Sequence, residues 1–237
     1  MKQTIAIINE STVLQDSAIL EAIPDLQVQI SRDFAPRWGA DATLVFVPKG
    51  QKPDLSHWWL TILDDSDQAG ALGYHDLTDG GLPLAKVFAK SDVQDGLSWT
   101  VTISHELLEM LGDPYINECT QEGQVFYAKE ACDACEQDSF GYMIDKTKVS
   151  DFVFPSWFCS SAPGPYDFTG CISAPLQLRE GGYIGIFNPG QGWSQKTADL
   201  PPGADFNKIM YSSRPRLGSR RERRQHSQMD RIRSSVL

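Results

Sequence analysis

The chain has 237 residues, of which 41% are hydrophobic and 22% are charged. This composition is that of a globular protein and excludes a disordered, collagenous or coiled-coil chain, while the lack of any run of about 18 apolar residues predicts that no helix spans a membrane. The formal net charge of −10 weighs against general nucleic-acid binding, because phosphate contacts need clustered Lys and Arg.

The N-terminal part of the chain predicts a strand followed by a helix. Residues 4–8 are apolar and β-branched, which is typical of a strand. Their apolar stretch is too short for a signal peptide, so we expect no export by a leader. Residues 16–34 carry apolar side chains at roughly helical spacing, and Pro24 predicts a kink or a second helix start among them.

Further strands and a second long helix follow. Short apolar runs predict strands at residues 42–47, 58–63, 71–75 and 85–89. Apolar residues at helical spacing predict a helix over 97–111, which Gly112 and Pro114 end. This first part of the chain has the order β-α-β-β-β-β-α, and we expect an α+β fold.

Beyond residue 115 the chain changes character. Residues 116–212 are rich in Gly, Pro, Cys and aromatic residues and show little helical periodicity, so we expect an irregular, loop-rich subdomain that completes a cleft with residues 1–115. Three interpretations stay open for the cysteines: buried free thiols, a structural metal site or disulfides. The five are Cys119, Cys132, Cys135, Cys159 and Cys171.

Residues 213–237 form a basic tail. Eight arginines stand against Glu222 and Asp230 between positions 214 and 237, which gives this segment a net charge of +6 and leaves −16 on the rest of the chain. A segment of this kind is typical of a solvated terminus, or of a peptide that docks on an acidic partner such as the acidic body of a neighbouring subunit. The second interpretation implies an oligomer or a larger assembly.

The helix predicted over 97–111 carries the motif with the clearest chemistry, His105-Glu106-Leu107-Leu108-Glu109. Because an α-helix turns about 100° per residue, His105 and Glu109 share one face, one turn apart. An imidazole and a carboxylate are both good zinc ligands. Glu106 is offset from that face, where it could hold a metal-bound water and accept its proton as a general base.

This motif resembles the HExxH helix of zincin-class metallopeptidases, with Glu109 in place of the second histidine. Gly112, seven residues after His105, matches the glycine of the metzincin subgroup. The preceding strands are similar in order to the zincin upper subdomain, which implies a twisted mixed sheet with a backing helix and an active-site helix. The resemblance implies a zinc-dependent hydrolase of peptides or proteins, in which residues 71–75 form an edge strand that binds extended substrate.

The third metal ligand departs from the metzincin pattern. Tyr115 stands at the metzincin position and is not a usual zinc ligand, while Asp113 would reach the ion only if the chain reverses sharply at Gly112. The gluzincin subgroup takes its third ligand, a Glu, from a downstream segment, and Glu130 is our favoured equivalent, with Asp133 close behind. One histidine with two carboxylates is a harder ligand set than usual and also suits manganese, calcium or iron.

A second hypothesis is a non-catalytic structural or assembly protein, for example a component of a virus particle. It would keep a zincin-like scaffold and use the basic tail for attachment, and the missing second histidine favours it. Without a signal peptide, the two hypotheses place the protein in the cytoplasm or in such an assembly. His75 has two interpretations, a residue that lines the cleft or an ordinary strand residue.

Overall fold

The computed structural model describes residues 2–67 and 71–198. The predicted basic tail, residues 213–237, lies outside the described residues, as do the last residues of the predicted loop-rich part. In the described part of the chain, no helix combines the length and the hydrophobicity needed to cross a lipid bilayer.

The first part of the chain builds a five-stranded mixed sheet. Its strands run in the order β2-β1-β3-β5-β4, and β4 alone is antiparallel to its neighbour. Residues 5–8 of the central β1 are all buried, as expected for a parallel strand that is covered on both faces. The strands are β1 (Gln3–Asn9), β2 (Ala42–Val47), β3 (Trp58–Leu63), β4 (Gly73–Leu77) and β5 (Pro83–Phe88).

Four helices accompany this sheet, which confirms the α+β class. The predicted kink at Pro24 does not end the first helix, which instead changes to a π-helical turn at Gln29–Phe34. The short α3 was not predicted, because seven residues ending at Gly96 give too little helical periodicity. The helices are α1 (Asp16–Val28), α2 (Ala35–Trp38), α3 (Ala89–Asp95) and α4 (Trp99–Gly112).

The second part of the chain contains more regular structure than we predicted. A four-stranded antiparallel sheet has the order β11-β10-β7-β6, and β8 and β9 form a separate hairpin. Strands of three to six residues are too short to give a clear periodic pattern among so many Gly and aromatic residues. They are β6 (Cys119–Glu122), β7 (Val125–Ala128), β8 (Tyr142–Ile144), β9 (Thr147–Val149), β10 (Tyr183–Asn188) and β11 (Gly192–Thr197).

Aromatic packing joins the second part of the chain to the first. Phe34 and Phe152 meet edge to face with their ring centroids 5.3 Å apart, and Trp38 Nε1 donates a hydrogen bond of 2.9 Å to the Val153 carbonyl. Gln29 adds two hydrogen bonds: its side chain accepts one from the Ser104 hydroxyl on α4 and donates one to the Ser150 carbonyl. These contacts hold the segment that follows β9 against residues 29–38 and, through Gln29, against α4.

Candidate metal centre

Helix α4 is buried on every side through most of its length. Each residue from 101 to 111 is buried, so His105, Glu106 and Glu109 lie inside the protein, although they are ionisable. Burying a carboxylate away from water is costly unless a charge or a hydrogen bond compensates it. The motif is therefore not a solvated surface pattern, and a buried partner or ligand has to compensate its charges.

Two carboxylates converge on the ring of His105. Its Nε2 atom lies 3.1 Å from Oε1 of Glu109 and 3.4 Å from Oδ1 of Asp133. One ring nitrogen therefore faces two buried carboxylates, a cluster of donor atoms of the kind that can surround a cation.

The spacing agrees with a metal site. Zinc–ligand bonds of about 2.0–2.1 Å at tetrahedral angles place neighbouring ligand atoms roughly 3.3 Å apart. The two distances at His105 Nε2 bracket that value. An imidazole and two carboxylates are also a recognised donor set for zinc and for harder divalent cations, so the residues present fit such an ion.

Two predicted ligands come from the loop that precedes the 3₁₀ turn Asp133–Cys135. Asp133 is buried and reaches His105, as described above. Glu130 is placed differently, because its Oε2 lies 3.7 Å from Nε2 of His75. The structure thus brings both carboxylates to the centre, with Asp133 beside the motif histidine and Glu130 beside a second histidine.

That second histidine, His75, lies on strand β4 and is buried. Its Nδ1 lies 3.5 Å from Oε2 of Glu109 and 3.9 Å from Oε2 of Glu106. Glu109 therefore turns one oxygen towards each histidine. Of our two interpretations for His75, the structure supports a residue that lines the site, which sequence spacing alone could not decide because β4 is far from α4 in the chain.

The charges of the cluster shift the proton affinities of both histidines. Burial lowers the pKa of His105, but the negative charge of Glu109 and hydrogen bonds to the carboxylates of Asp133 and Glu109 outweigh burial and hold this pKa well above its ordinary value. For His75, burial is likewise outweighed by Glu109 and Glu130, and its pKa is raised. Both rings consequently favour the protonated form, so a cation that binds at His105 Nε2 has to displace a proton from that nitrogen.

Cys132 is a member of the cluster that sequence reasoning did not identify as a ligand of this ion. Donor atoms of His105, Glu109 and Cys132 lie within 4.8 Å of one another, and all three residues are buried. Burial and the charge of Glu109 raise the pKa of the Cys132 thiol well above its usual value. None of the five cysteines, all of which lie in the described part of the chain, forms a disulfide. Cys132 and Cys135 agree with the interpretation as buried free thiols, whereas Cys119 and Cys159 are half-buried and Cys171 is exposed.

The residues that follow the motif do not join the centre. Asp113 is buried, and its carboxylate accepts hydrogen bonds from the backbone N–H groups of Asn117 and Glu118. It therefore caps the turn after α4 and is held away from a role as a ligand. Tyr115 is half exposed.

Comparisons with protein-family models, with curated proteins and with solved structures give no significant match to this chain. The functional argument therefore depends on the residues of the centre.

Proposed function

We propose that the protein is a metal-dependent hydrolase, most simply a zincin-like metallopeptidase. The observation that supports this most strongly is the convergence of Glu109 and Asp133 on His105 Nε2, on the same buried helix that carries Glu106. A zinc ion is the expected occupant, and manganese, iron or calcium would also accept these donors.

In this proposal His105, Glu109 and Asp133 hold the cation. When bound, the cation would polarise a substrate carbonyl and make a nearby water more acidic. Glu106 would accept the proton of the attacking water at its carboxylate, within reach of His75 and Glu109, and would pass it to the leaving group.

His75 and Glu130 are assigned supporting roles at the same centre. The Nδ1 edge of His75 faces Glu106 and Glu109, so a proton on that nitrogen could stabilise negative charge that develops on the substrate. Glu130, beside Nε2, would orient the ring and favour its charged form.

Strand β4 supports a peptide as substrate. It stands at the end of the sheet, and among the described strands it pairs only with β5. An extended peptide can add to such an edge through backbone hydrogen bonds. Because His75 lies on β4, a peptide bound there would pass close to the centre.

A Glu106→Gln variant tests the assignment of the general base. We expect it to retain the metal and to lose hydrolysis of a peptide library by roughly 100-fold or more, because the amide cannot accept the proton. Glu21→Gln, which changes an exposed carboxylate on α1, is the matched control and should keep full activity. Hydrolysis by the Glu106→Gln variant at the rate of the unmodified protein would refute the role of Glu106.

One observation favours the second candidate, a non-catalytic protein that a metal ion stabilises. The centre is nearly closed, since even its most open carboxylate, Glu130, exposes only 14% of its side chain. Closed sites are typical of structural rather than catalytic zinc. If metal removal lowers the melting temperature while no substrate is cleaved by the loaded protein, this candidate replaces the hydrolase. A virus-particle or other assembly role would then be tested by deleting residues 214–237.

A further inference from the structure

We propose that the Cys132 sulfur is a direct ligand of the same cation, which makes the centre a mixed histidine–carboxylate–thiolate site for zinc or another thiophilic metal. This inference rests on the proposed metal centre and goes beyond it by naming a further ligand. It also specifies the class of metal, because thiolates favour zinc over calcium, magnesium or manganese.

The position of Cys132 carries the argument. Its donor atom lies within 4.8 Å of donor atoms on both His105 and Glu109, and the residue is fully buried. Its backbone N–H donates a hydrogen bond of 3.4 Å to Oε1 of Glu109, which is the oxygen that faces His105. The backbone of Cys132 is therefore hydrogen-bonded to the same Glu109 oxygen that lies beside the His105 imidazole and would bind the cation.

The loop that carries Cys132 is fixed on both sides. The Val153 N–H donates to the Ala131 carbonyl at 2.7 Å, and the Arg179 N–H donates to the Ala134 carbonyl at 2.9 Å. Gly182 packs so tightly on this loop that a Cβ there would stand 2.3 Å from the Ala134 oxygen. The loop is held at a fixed distance from α4, which is what an ion bound between the two elements needs.

The same loop offers Asp133 as a fourth donor, in addition to the three residues whose donor atoms lie within 4.8 Å of one another. Asp133 follows Cys132 and places its Oδ1 3.4 Å from His105 Nε2. Helix α4 and the loop would then each supply two donors, a number that matches tetrahedral zinc. On binding, the thiol proton leaves for solvent and the sulfur binds as thiolate, with no change in oxidation state.

Cys135 offers a matched comparison. It is also fully buried and lies three residues later, but it packs in a separate apolar cluster with Trp157 and Phe158. It is not part of the group formed by His105, Glu109 and Cys132. Replacing it by serine therefore tests the effect of losing a buried thiol from this loop without touching the proposed site.

Cobalt(II) provides the test, because it occupies zinc sites and a thiolate ligand gives it a strong near-ultraviolet charge-transfer band in addition to its weaker visible bands. We expect the full-length metal-free protein to show both bands when cobalt(II) is added. Cys132→Ser should lose the charge-transfer band, keep the visible bands and bind zinc at least tenfold more weakly. Cys135→Ser should keep both sets of bands and the zinc affinity of the unmodified protein.

The outcomes separate this inference from the function proposed above. Visible bands without a charge-transfer band in the unmodified protein would overturn the role of Cys132 and leave the metal centre intact, and so would an unchanged band in Cys132→Ser. Failure of the unmodified protein to bind cobalt(II) or zinc would overturn both proposals. Because the spectrum of the unmodified protein is itself decisive, a variant that fails to fold does not prevent the test.

Discussion

The side chain of Glu106 packs directly against the backbone of Gly73. A Cβ on residue 73 would stand 2.7 Å from Oε1 of Glu106 and 2.9 Å from its Cγ, and it would also meet Cγ2 of Thr102 at 2.9 Å. Two of these three atoms lie close to the α4 backbone and cannot simply swing away. The absence of a side chain at Gly73 therefore sets the position of the proposed general base.

A Gly73→Ala variant should displace Glu106 while leaving the cation in place. A shift of about 1 Å at a reacting group can cost up to 100-fold in rate, so we expect kcat to fall roughly 10- to 100-fold with unchanged metal content. Steady-state kinetics and elemental analysis check this.

Gly80→Ala is the matched control for that substitution. A Cβ at Gly80 would have its nearest neighbour, Oγ1 of Thr78, at 3.7 Å, which is an ordinary contact. This variant should keep full activity. Equal activity of the Gly73 and Gly80 variants would show that the position of Glu106 does not matter for the reaction.

His75→Gln separates a supporting role from metal ligation. If His75 stabilises charge on the substrate, the variant should keep its metal while kcat falls by roughly 100-fold. Half-buried His57, which lies outside the centre, provides the control His57→Gln, and that variant should behave as the unmodified protein. Loss of the metal from His75→Gln would instead make His75 a ligand, and a rate within twofold of normal would remove it from the mechanism.

The buried carboxyl group of Asp92 predicts a pH dependence of stability. Burial raises its pKa to about 8, although Thr102 donates a hydrogen bond to it. The pKa of this carboxyl group in the unfolded chain is about 3.9. Between pH 4 and pH 8 the carboxyl group is therefore ionised in the unfolded chain but still protonated in the folded chain. Rising pH therefore favours unfolding, and the stabilising contribution present below pH 4 is progressively lost as pH approaches 8.

An Asp92→Asn variant should remove this effect, because its amide stays neutral and can still accept from Thr102. As the pH rises to 8, the free energy of unfolding of the variant should increase relative to that of the unmodified protein by at most about 1.4 kcal/mol per pH unit. Above pH 8 the difference between the two should stay constant. Urea unfolding at a series of pH values measures this difference. Two parallel curves across that range would contradict the raised pKa.

The order of strands and helices along the first part of the chain was predictable because its apolar runs are local and uninterrupted. All five strands and the helix α4 were predicted: β2 and β3 have the predicted bounds, and the ends of the other elements differ by one or two residues. The small strands after residue 115 were not, because segments such as Tyr142–Ile144 are too short to show periodicity and depend on contacts with distant chain.

For the candidate metal centre too, the sequence predicts contacts within one helix but not contacts between segments that are far apart in the chain. The i, i+4 spacing of one helix brings His105 and Glu109 together, so the sequence alone predicts that pair. Glu130 and Asp133 were predicted as alternative third ligands with Glu130 favoured, but the sequence could not show that Asp133 is the one beside His105. His75 and Cys132 reach the centre through the pairing of β4 at the sheet edge and through the clamped loop, and neither contact leaves a spacing that can be recognised in a single sequence.

Metal content measured after loading and dialysis tests the central claim most directly. We expect the unmodified protein to retain one equivalent of zinc per chain and His105→Ala to retain less than about a tenth of that amount, since the variant removes the nitrogen on which Glu109 and Asp133 converge. His57→Ala, the control, should retain one equivalent. Unmodified protein that keeps no metal, or a His105→Ala variant that keeps a full equivalent, would contradict the account.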